Sequence, residues 1–302
     1  MQTGFQKIAI FGVGLIGGSF ALALKQAGAV AHIVGAGRSR ASLQTALELG
    51  IIDSIADSPA QAVRDADLVL IAAPVAQTEA ILASIAPFLA PTTIVTDAGS
   101  TKSDVVAAAR AALGERIGQF VPAHPIAGRE LNGPQAALSD LYRGKKAVIT
   151  ALAENRPADV ARVAAAWQQC GAIIHYLDPS THDTVFAAVS HLPHLLAYAL
   201  VDDIAKKPHA DTLFQYAASG FRDFTRIAGS SPEMWRDISL ANRSALLAEL
   251  DSYMSNLQAL RGHLLQADGA AINAVYANAQ SARHNWISAI EAAEQQRAGG
   301  GD

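Results

Sequence analysis

The chain has a single cysteine, Cys170, so no disulfide can form within it, and a reducing compartment is expected. Its place just before an apolar strand marks a small buried side chain rather than a reactive thiol. Charge is scarce: Asp, Glu, Lys and Arg make up 17% of the residues, the net charge is −4, and no Lys/Arg-rich run occurs. A nucleic-acid surface, which would draw its affinity from neutralised phosphates, is thereby excluded. No apolar run reaches the ~18 residues of a membrane span, and no basic stretch followed by a long apolar core opens the chain. A cytoplasmic location and no membrane partner are therefore expected. Neither HExxH nor clustered Cys/His spacing is present, so no metal is expected. Internal repeats and low-complexity segments are also missing, apart from a glycine-rich tail after Arg297 that is expected to be disordered.

What is there is a chain of 302 residues, 51% of them hydrophobic, enough for a sizeable core and about two domains. Residues 7–11 (KIAIF) run apolar without polar alternation, as a strand buried on both faces does. Gly12, Gly14 and Gly17 follow in G-x-G-x-x-G spacing, and an apolar helix start follows them. In that pattern Gly12 permits the tight turn, Gly14 lets a pyrophosphate approach bare backbone, and Gly17 lets helix pack on strand. The N–H groups of Leu15, Ile16 and Gly17 and the positive end of the helix then face the phosphates.

Strands and helices alternate onward through residues 32–37, 68–73, 92–96, 120–123, 146–150 and 172–176, about seven strands in all. Pro122 makes the strand at 120–123 the least secure, since proline cannot donate to a ladder. The alternation predicts a mostly parallel α/β sheet of Rossmann type with ligands outside the carboxyl ends of the strands, where Pro74 stands after the third. Beyond Asp178-Pro179 only alanine- and leucine-rich stretches with helical spacing occur, broken near Pro208, Gly220, Gly229 and Gly269. Residues 1–177 thus read as a dinucleotide-binding domain and residues 178–302 as an all-α domain. The wide apolar faces of the latter predict a homodimer.

Selection of NAD usually relies on an acidic residue about 20 positions beyond the glycines. That place holds Gly37, followed by Arg38, Ser39 and Arg40, two cations and a hydroxyl suited to a 2′-phosphate, so NADP is expected, with NAD also usable. Ser100 and His124 lie just beyond two successive apolar strands, where the nicotinamide end of the cofactor belongs. His191 and His194, in SHLPH, are three apart and share a helix face, with Pro193 between them opening or perturbing the helix. Hydride transfer to nicotinamide needs a base and an anchored substrate rather than a metal.

GVGLIGGS, DAGSTK, HPIAG, SHLPH and GFRDFTRIAGSSPEMWRDI together resemble the prephenate and arogenate dehydrogenases of tyrosine biosynthesis, and the likeness spans nearly the whole chain. The resemblance implies a Rossmann domain followed by a helical dimerisation domain, and oxidative decarboxylation of prephenate to 4-hydroxyphenylpyruvate, with arogenate as the alternative substrate. It implies His124 as the base for the ring hydroxyl, with Ser100 orienting it and touching the nicotinamide. By the same resemblance His194, with His191 nearby, positions substrate and cofactor, Arg226 grips the side-chain carboxylate with Asp223 holding it, and Glu130 sits at the pocket rim. Trp235 reads as core. Gly37 departs from NAD-using members, and Arg129 stands where a small residue is expected, which leaves prephenate against arogenate open. No length remains for an appended regulatory domain, so tyrosine inhibition would act at the active site. Two other readings stand further off. A β-hydroxyacid dehydrogenase would need a helical-domain lysine, whereas Lys206 and Lys207 read as a loop, and a dinucleotide-sensing regulator would not need Ser100, His124 and Arg226 together.

Overall fold

The computed structural model describes residues 4–129 and 131–299, without the side chains of 293–299. The first half alternates β1 (Phe5–Phe11), α1 (Leu15–Gln26), β2 (Val30–Ala36), α2 (Arg40–Glu48), β3 (Ser54–Ile55), α3 (Pro59–Val63), β4 (Leu68–Ile71), α4 (Thr78–Ile85), β5 (Ile94–Asp97), α5 (Ser103–Leu113) and β6 (Phe120–Val121). These six strands form one parallel sheet in the order β3-β2-β1-β4-β5-β6, the doubly wound order whose ligand crevice lies where β1 meets β4. The unbroken apolar runs have a direct cause: Ile8 and Ile10 of β1 and Leu68 and Leu70 of β4 enter one core, while Ala9, Phe11, Val69 and Ile71 enter the other. Phe20 and Tyr142 pack against the fully buried Trp167 in the first core, ring centroids 4.7 and 5.2 Å away.

The single strand expected at 120–123 is two strands. Pro122 has no N–H for the ladder, so β6 stops at Val121 and β7 (Ala123–Pro125) leaves the main sheet. There β7 pairs antiparallel with β8 (Lys146–Ile149), which pairs parallel with β9 (Ile173–Tyr176) after α6 (Pro157–Gln169). The described residues thus hold nine strands in two sheets instead of about seven in one.

Only helices follow β9: α7 (Pro179–Phe186), a π turn at Ala187–His191, α8 (Leu192–Ala205), α9 (Ala210–Gln215), α10 (Ser219–Thr225), α11 (Pro232–Ala241), α12 (Arg243–Leu265) and α13 (Gly269–Gly299). The π turn precedes Pro193, which has no N–H to continue the ordinary ladder, and carries the helix through it. Pro179–Ala205 is therefore one run of 27 residues containing an 18-residue stretch of mean hydropathy 1.5, long and apolar enough by those measures to cross a membrane, contrary to the sequence expectation. Its His182, Asp183 and His191 are instead buried and bonded within the protein.

Two compact units are present, divided between Leu246 and Leu247. The first holds both sheets and the helices through α11. The second comprises most of α12 and all of α13, joined by a turn in which Ala267 takes φ 52° and Asp268 accepts the N–H of Ala271 at 2.9 Å. Helix α13 continues through Arg297, where the tail was expected to begin, and residues 300–302 lie outside the described residues.

Candidate active site

The glycine turn is built as its spacing requires. Gly12 has φ +97°, and a Cβ there would stand 2.5 Å from the Ala72 carbonyl oxygen; one on Gly17 would stand 2.2 Å from the Gly12 oxygen. A Cβ on Gly14 would meet nothing within 4 Å, so the bare backbone there faces open space. Helix α1 starts at Leu15 with no side-chain cap and no acid in its first turn, which leaves the N–H groups of Leu15, Ile16 and Gly17 without intrahelical partners. Other atoms of these residues hold the fold: the Leu15 side chain is buried in the first core, and the Ile16 backbone carbonyl accepts the Tyr142 hydroxyl at 2.6 Å.

A cavity of about 730 Å³ opens in front of this turn, lined by Gly12, Gly14, Gly37, Arg38, Ser39 and Pro74, among others. An uncapped helix start beside bare backbone suits a pyrophosphate, and a cavity of this volume beside it suits a nucleoside, so these residues fit a nicotinamide dinucleotide. Of the cations after Gly37, Arg38 lines the cavity, whereas Arg40 gives its guanidinium to Asp57 at 2.8 Å. Ser39 caps α2, its hydroxyl accepting the Ser42 N–H at 3.2 Å.

Beyond the tips of β5 and β7 the polar groups interlock. Asp97, the last residue of β5, accepts the N–H of Ala123 at 3.0 Å and that of Gly99 at 2.8 Å. It also pairs with Lys102, whose ammonium donates to the Ala123 carbonyl at 2.9 Å. Both charges are fully buried. DAGSTK is therefore a closed loop tied at its two ends to the strand that carries His124, and Ser100 sits half-buried at its tip.

His124 is buried, its Nδ1 lying 2.8 Å from His182 Nε2, while His182 Nδ1 lies 2.9 Å from Asp183. Asp183 accepts the backbone N–H of Lys102 at 2.8 Å and of Ser103 at 2.7 Å, at the start of α5. Burial, with the nearby charge of Lys102, pushes the His124 pKa well below its ordinary value, so the ring is neutral at pH 7.

His191 and His194 divide their tasks. His191 is buried near the Ser100 backbone and accepts the Asn242 side-chain N–H at Nδ1 (3.1 Å), while its Nε2 is buried without a hydrogen-bond partner. Desolvation lowers its pKa to about 4. His194 donates Nδ1–H to the Ser190 carbonyl at 2.8 Å and stacks on Trp235, centroids 3.5 Å apart. Its pKa is lowered by burial and then by the charge of Arg226, an exposed side chain just after α10. Ser100, His124, His191, His194 and Arg226 thus form one connected neighbourhood within the first unit. Trp235 belongs to it, half-buried against His194 rather than in a core. Arg129 is exposed, Asp223 is exposed, and Glu130 lies outside the described residues.

Sequence reasoning missed Asp97, Lys102, His182, Asp183 and Asn242. The first two bracket DAGSTK and carried a signal, charged residues flanking a loop behind an apolar strand. The others reach partners more than 50 positions away and carried none.

Residues 20–176 match the family described as prephenate dehydrogenase, nucleotide-binding domain, and residues 178–276 match prephenate dehydrogenase, dimerization domain. A cyclohexadienyl dehydrogenase of Zymomonas mobilis is 36% identical over 93% of this chain and 96% of its own length. A prephenate dehydrogenase of Bacillus subtilis is 37% identical over 86% of this chain and 71% of its own. Among solved structures, prephenate dehydrogenase from A. aeolicus in complex with hydroxyphenyl propionate and NAD+ superposes with a TM-score of 0.86 at 34% identity, covering 93% of this chain and 98% of that one.

Proposed function

The chain belongs to the prephenate dehydrogenase family, and from that premise we propose that it oxidatively decarboxylates prephenate to 4-hydroxyphenylpyruvate, with arogenate as the alternative substrate. It is a nicotinamide-dinucleotide-dependent dehydrogenase of cyclohexadienyl substrates. In this reading residues 1–177 bind the dinucleotide, and residues 178–302 dimerise and supply the helical half of the substrate site.

The dinucleotide, when bound, supplies the hydride acceptor. The protein does the rest. Neutral His124 accepts the hydrogen bond of the ring hydroxyl and takes its proton as hydride leaves the carbon that bears it. The ring carboxylate departs as CO2, its bonding electrons complete the aromatic ring, and the proton returns from His124 to the phenol oxygen, so that no net proton is consumed. Ser100 touches the nicotinamide and orients His124. His194, held by Ser190 and Trp235, and His191, held by Asn242, position the substrate, and Arg226 grips its side-chain carboxylate with two parallel N–H bonds. One observation carries this reading: a buried, neutral imidazole on β7 shares a neighbourhood with the DAGSTK loop and with a cationic helical segment.

NADP is the preferred form in this proposal. A Cβ on Gly37 would meet only one atom, 4.0 Å away, so position 37 leaves room for a 2′-phosphate and offers it no carboxylate, and Arg38 and Ser39 line the space together with Asp57, whose charge is paired with Arg40. Arg40, held by Asp57, plays the smaller part. Exposed large apolar side chains in the second unit, among them Leu264, Leu265, Tyr276 and Trp286, suit the homodimer. Steady-state rates with prephenate and arogenate, each with NAD+ and NADP+, test the proposal; absence of turnover with all four pairs would refute it. Arg38→Ala should cut the kcat/KM ratio of NADP+ to NAD+ by about tenfold, as loss of one charge-assisted hydrogen bond would.

A further inference from the structure

His124 does not stand alone. Behind it His182 and Asp183 continue a line of buried groups that reaches the first turn of α5, with no role yet assigned. We propose that His182 and Asp183 are a positioning pair that fixes the tautomer of His124, holding its Nδ1 protonated and leaving Nε2 bare to receive the substrate proton.

The order of hydrogens follows from the far end. Asp183 is anchored through both oxygens, one facing the Lys102 N–H and His182 Nδ1 and the other the Ser103 N–H. Burial alone would raise its pKa, but the hydrogen bonds from His182, Ser103 and Lys102 outweigh that and hold it below the ordinary carboxylate value, so it is ionised and can only accept. His182 Nδ1 must then carry the hydrogen. A neutral His182 has one N–H, now spent on Asp183, so its Nε2 is an acceptor. His124 Nδ1, 2.8 Å away, must donate to it. The one remaining lone pair of His124 is on Nε2.

The same line steadies the reaction. When His124 takes the substrate proton at Nε2, its Nδ1–H bond to His182 becomes charge-assisted, and the carboxylate of Asp183 stands behind that bond. Phe186 covers both rings, 4.9 Å from His124 and 4.5 Å from His182, and keeps the relay dry. The other charged or titratable groups facing these rings are Lys102 and Asp97, which offset each other as an ion pair, and His191, which is neutral at pH 7.

The kinetic arm of the test rests on the function proposed above; the spectroscopic arm does not. His182→Phe should lower kcat by at least about tenfold with both KM values nearly unchanged, and should move the acid limb of the kcat/KM profile to lower pH, because the imidazolium of His124 loses its acceptor. His182→Gln, whose amide oxygen can accept the same N–H, should recover most of the rate. A rate that falls with the acid limb in place and no recovery in the glutamine variant would mean a purely structural residue and would overturn the proposal, as would unchanged kinetics. Independently, 15N chemical shifts of the wild-type protein at pH 7, with His124 assigned by comparison with His124→Asn, should show Nδ1 protonated and Nε2 bare. The reverse pattern overturns the inference whether or not prephenate is turned over. Failure of turnover with the expected ring pattern would instead remove the substrate assignment and leave the relay standing.

Discussion

Lys102→Met removes one charge from a pair that water does not reach. Lys102 and Asp97 have side-chain exposures of 0% and 1%, so the attraction between them is little screened, and loss of the ammonium leaves a buried carboxylate with only the Gly99 and Ala123 N–H groups as partners. Breaking such a pair from one side costs about 3–5 kcal/mol. For a chain of this length that corresponds to a fall in melting temperature on the order of 10 °C. Asp97→Asn/Lys102→Met removes both charges, so its cost should be less than the sum of the two single changes by about 2 kcal/mol. Urea unfolding of the two single variants and the double variant, followed by fluorescence and repeated by calorimetry, gives the cycle. Activity should fall further than stability alone explains, because the pair ties the Ser100 loop to the strand of His124. A cost for Lys102→Met below about 1 kcal/mol, or additive single effects, would refute the view that this ion pair is what registers β5 against β7.

The glycine turn separates fold from ligand. Gly17→Ala drives a Cβ to 2.2 Å from the Gly12 oxygen and should destabilise the protein measurably in thermal unfolding, whereas Gly14→Val places its side chain in open space and should leave the melting temperature nearly unchanged while dinucleotide binding, read by fluorescence titration, is lost. Acid stability follows from His191. Its folded pKa of about 4 lies below the unfolded value near 6.5, so the unfolded chain binds the proton first, and stability present above pH 6.5 is lost as pH falls toward 4. The span corresponds to about 3 kcal/mol. Urea midpoints of the wild type and His191→Gln between pH 7 and 4.5 should converge as the pH drops; parallel lines would show that His191 is not responsible.

Much of the first half is legible because its signals are local. A strand buried on both faces reads as an unbroken apolar run, and a turn that needs φ +97° at Gly12 and no Cβ at Gly17 permits few other residues, so β1, the turn and α1 follow from residues 5–26 alone. Pro122 was legible as a weak point in a strand but not as the place where a second sheet begins, since the partner of β7 is β8, more than twenty residues on. SHLPH signalled a perturbed helix; that the perturbation is a π turn which keeps α7 and α8 continuous depends on a five-residue hydrogen-bond register with no composition of its own. Arg40 read as a phosphate ligand because nothing nearby in sequence shows that Asp57 holds it. Trp235 read as core because an indole beside apolar residues usually is, and its stacking on His194 depends on how α11 is placed against α8.

A histidine at a strand tip has two ring nitrogens and a free rotor, so its position in the chain does not decide what it can abstract. Three ties remove that freedom. Pro122 ends β6, and its carbonyl, which accepts the Thr150 N–H at 3.0 Å, turns the chain toward β8 and away from the main sheet. Asp97 and Lys102 grip both the N–H and the carbonyl of Ala123, which sets the backbone one residue before the ring. His182 then takes Nδ1, and Phe186 closes over both rings. Each tie comes from a different element, the second sheet, the β5 loop and α7, so loosening any one leaves the other two in place. Substitutions in the three should therefore combine multiplicatively in their effect on the rate, each tie acting on a separate degree of freedom; less-than-multiplicative losses would mean that the three ties act on one shared position of the ring.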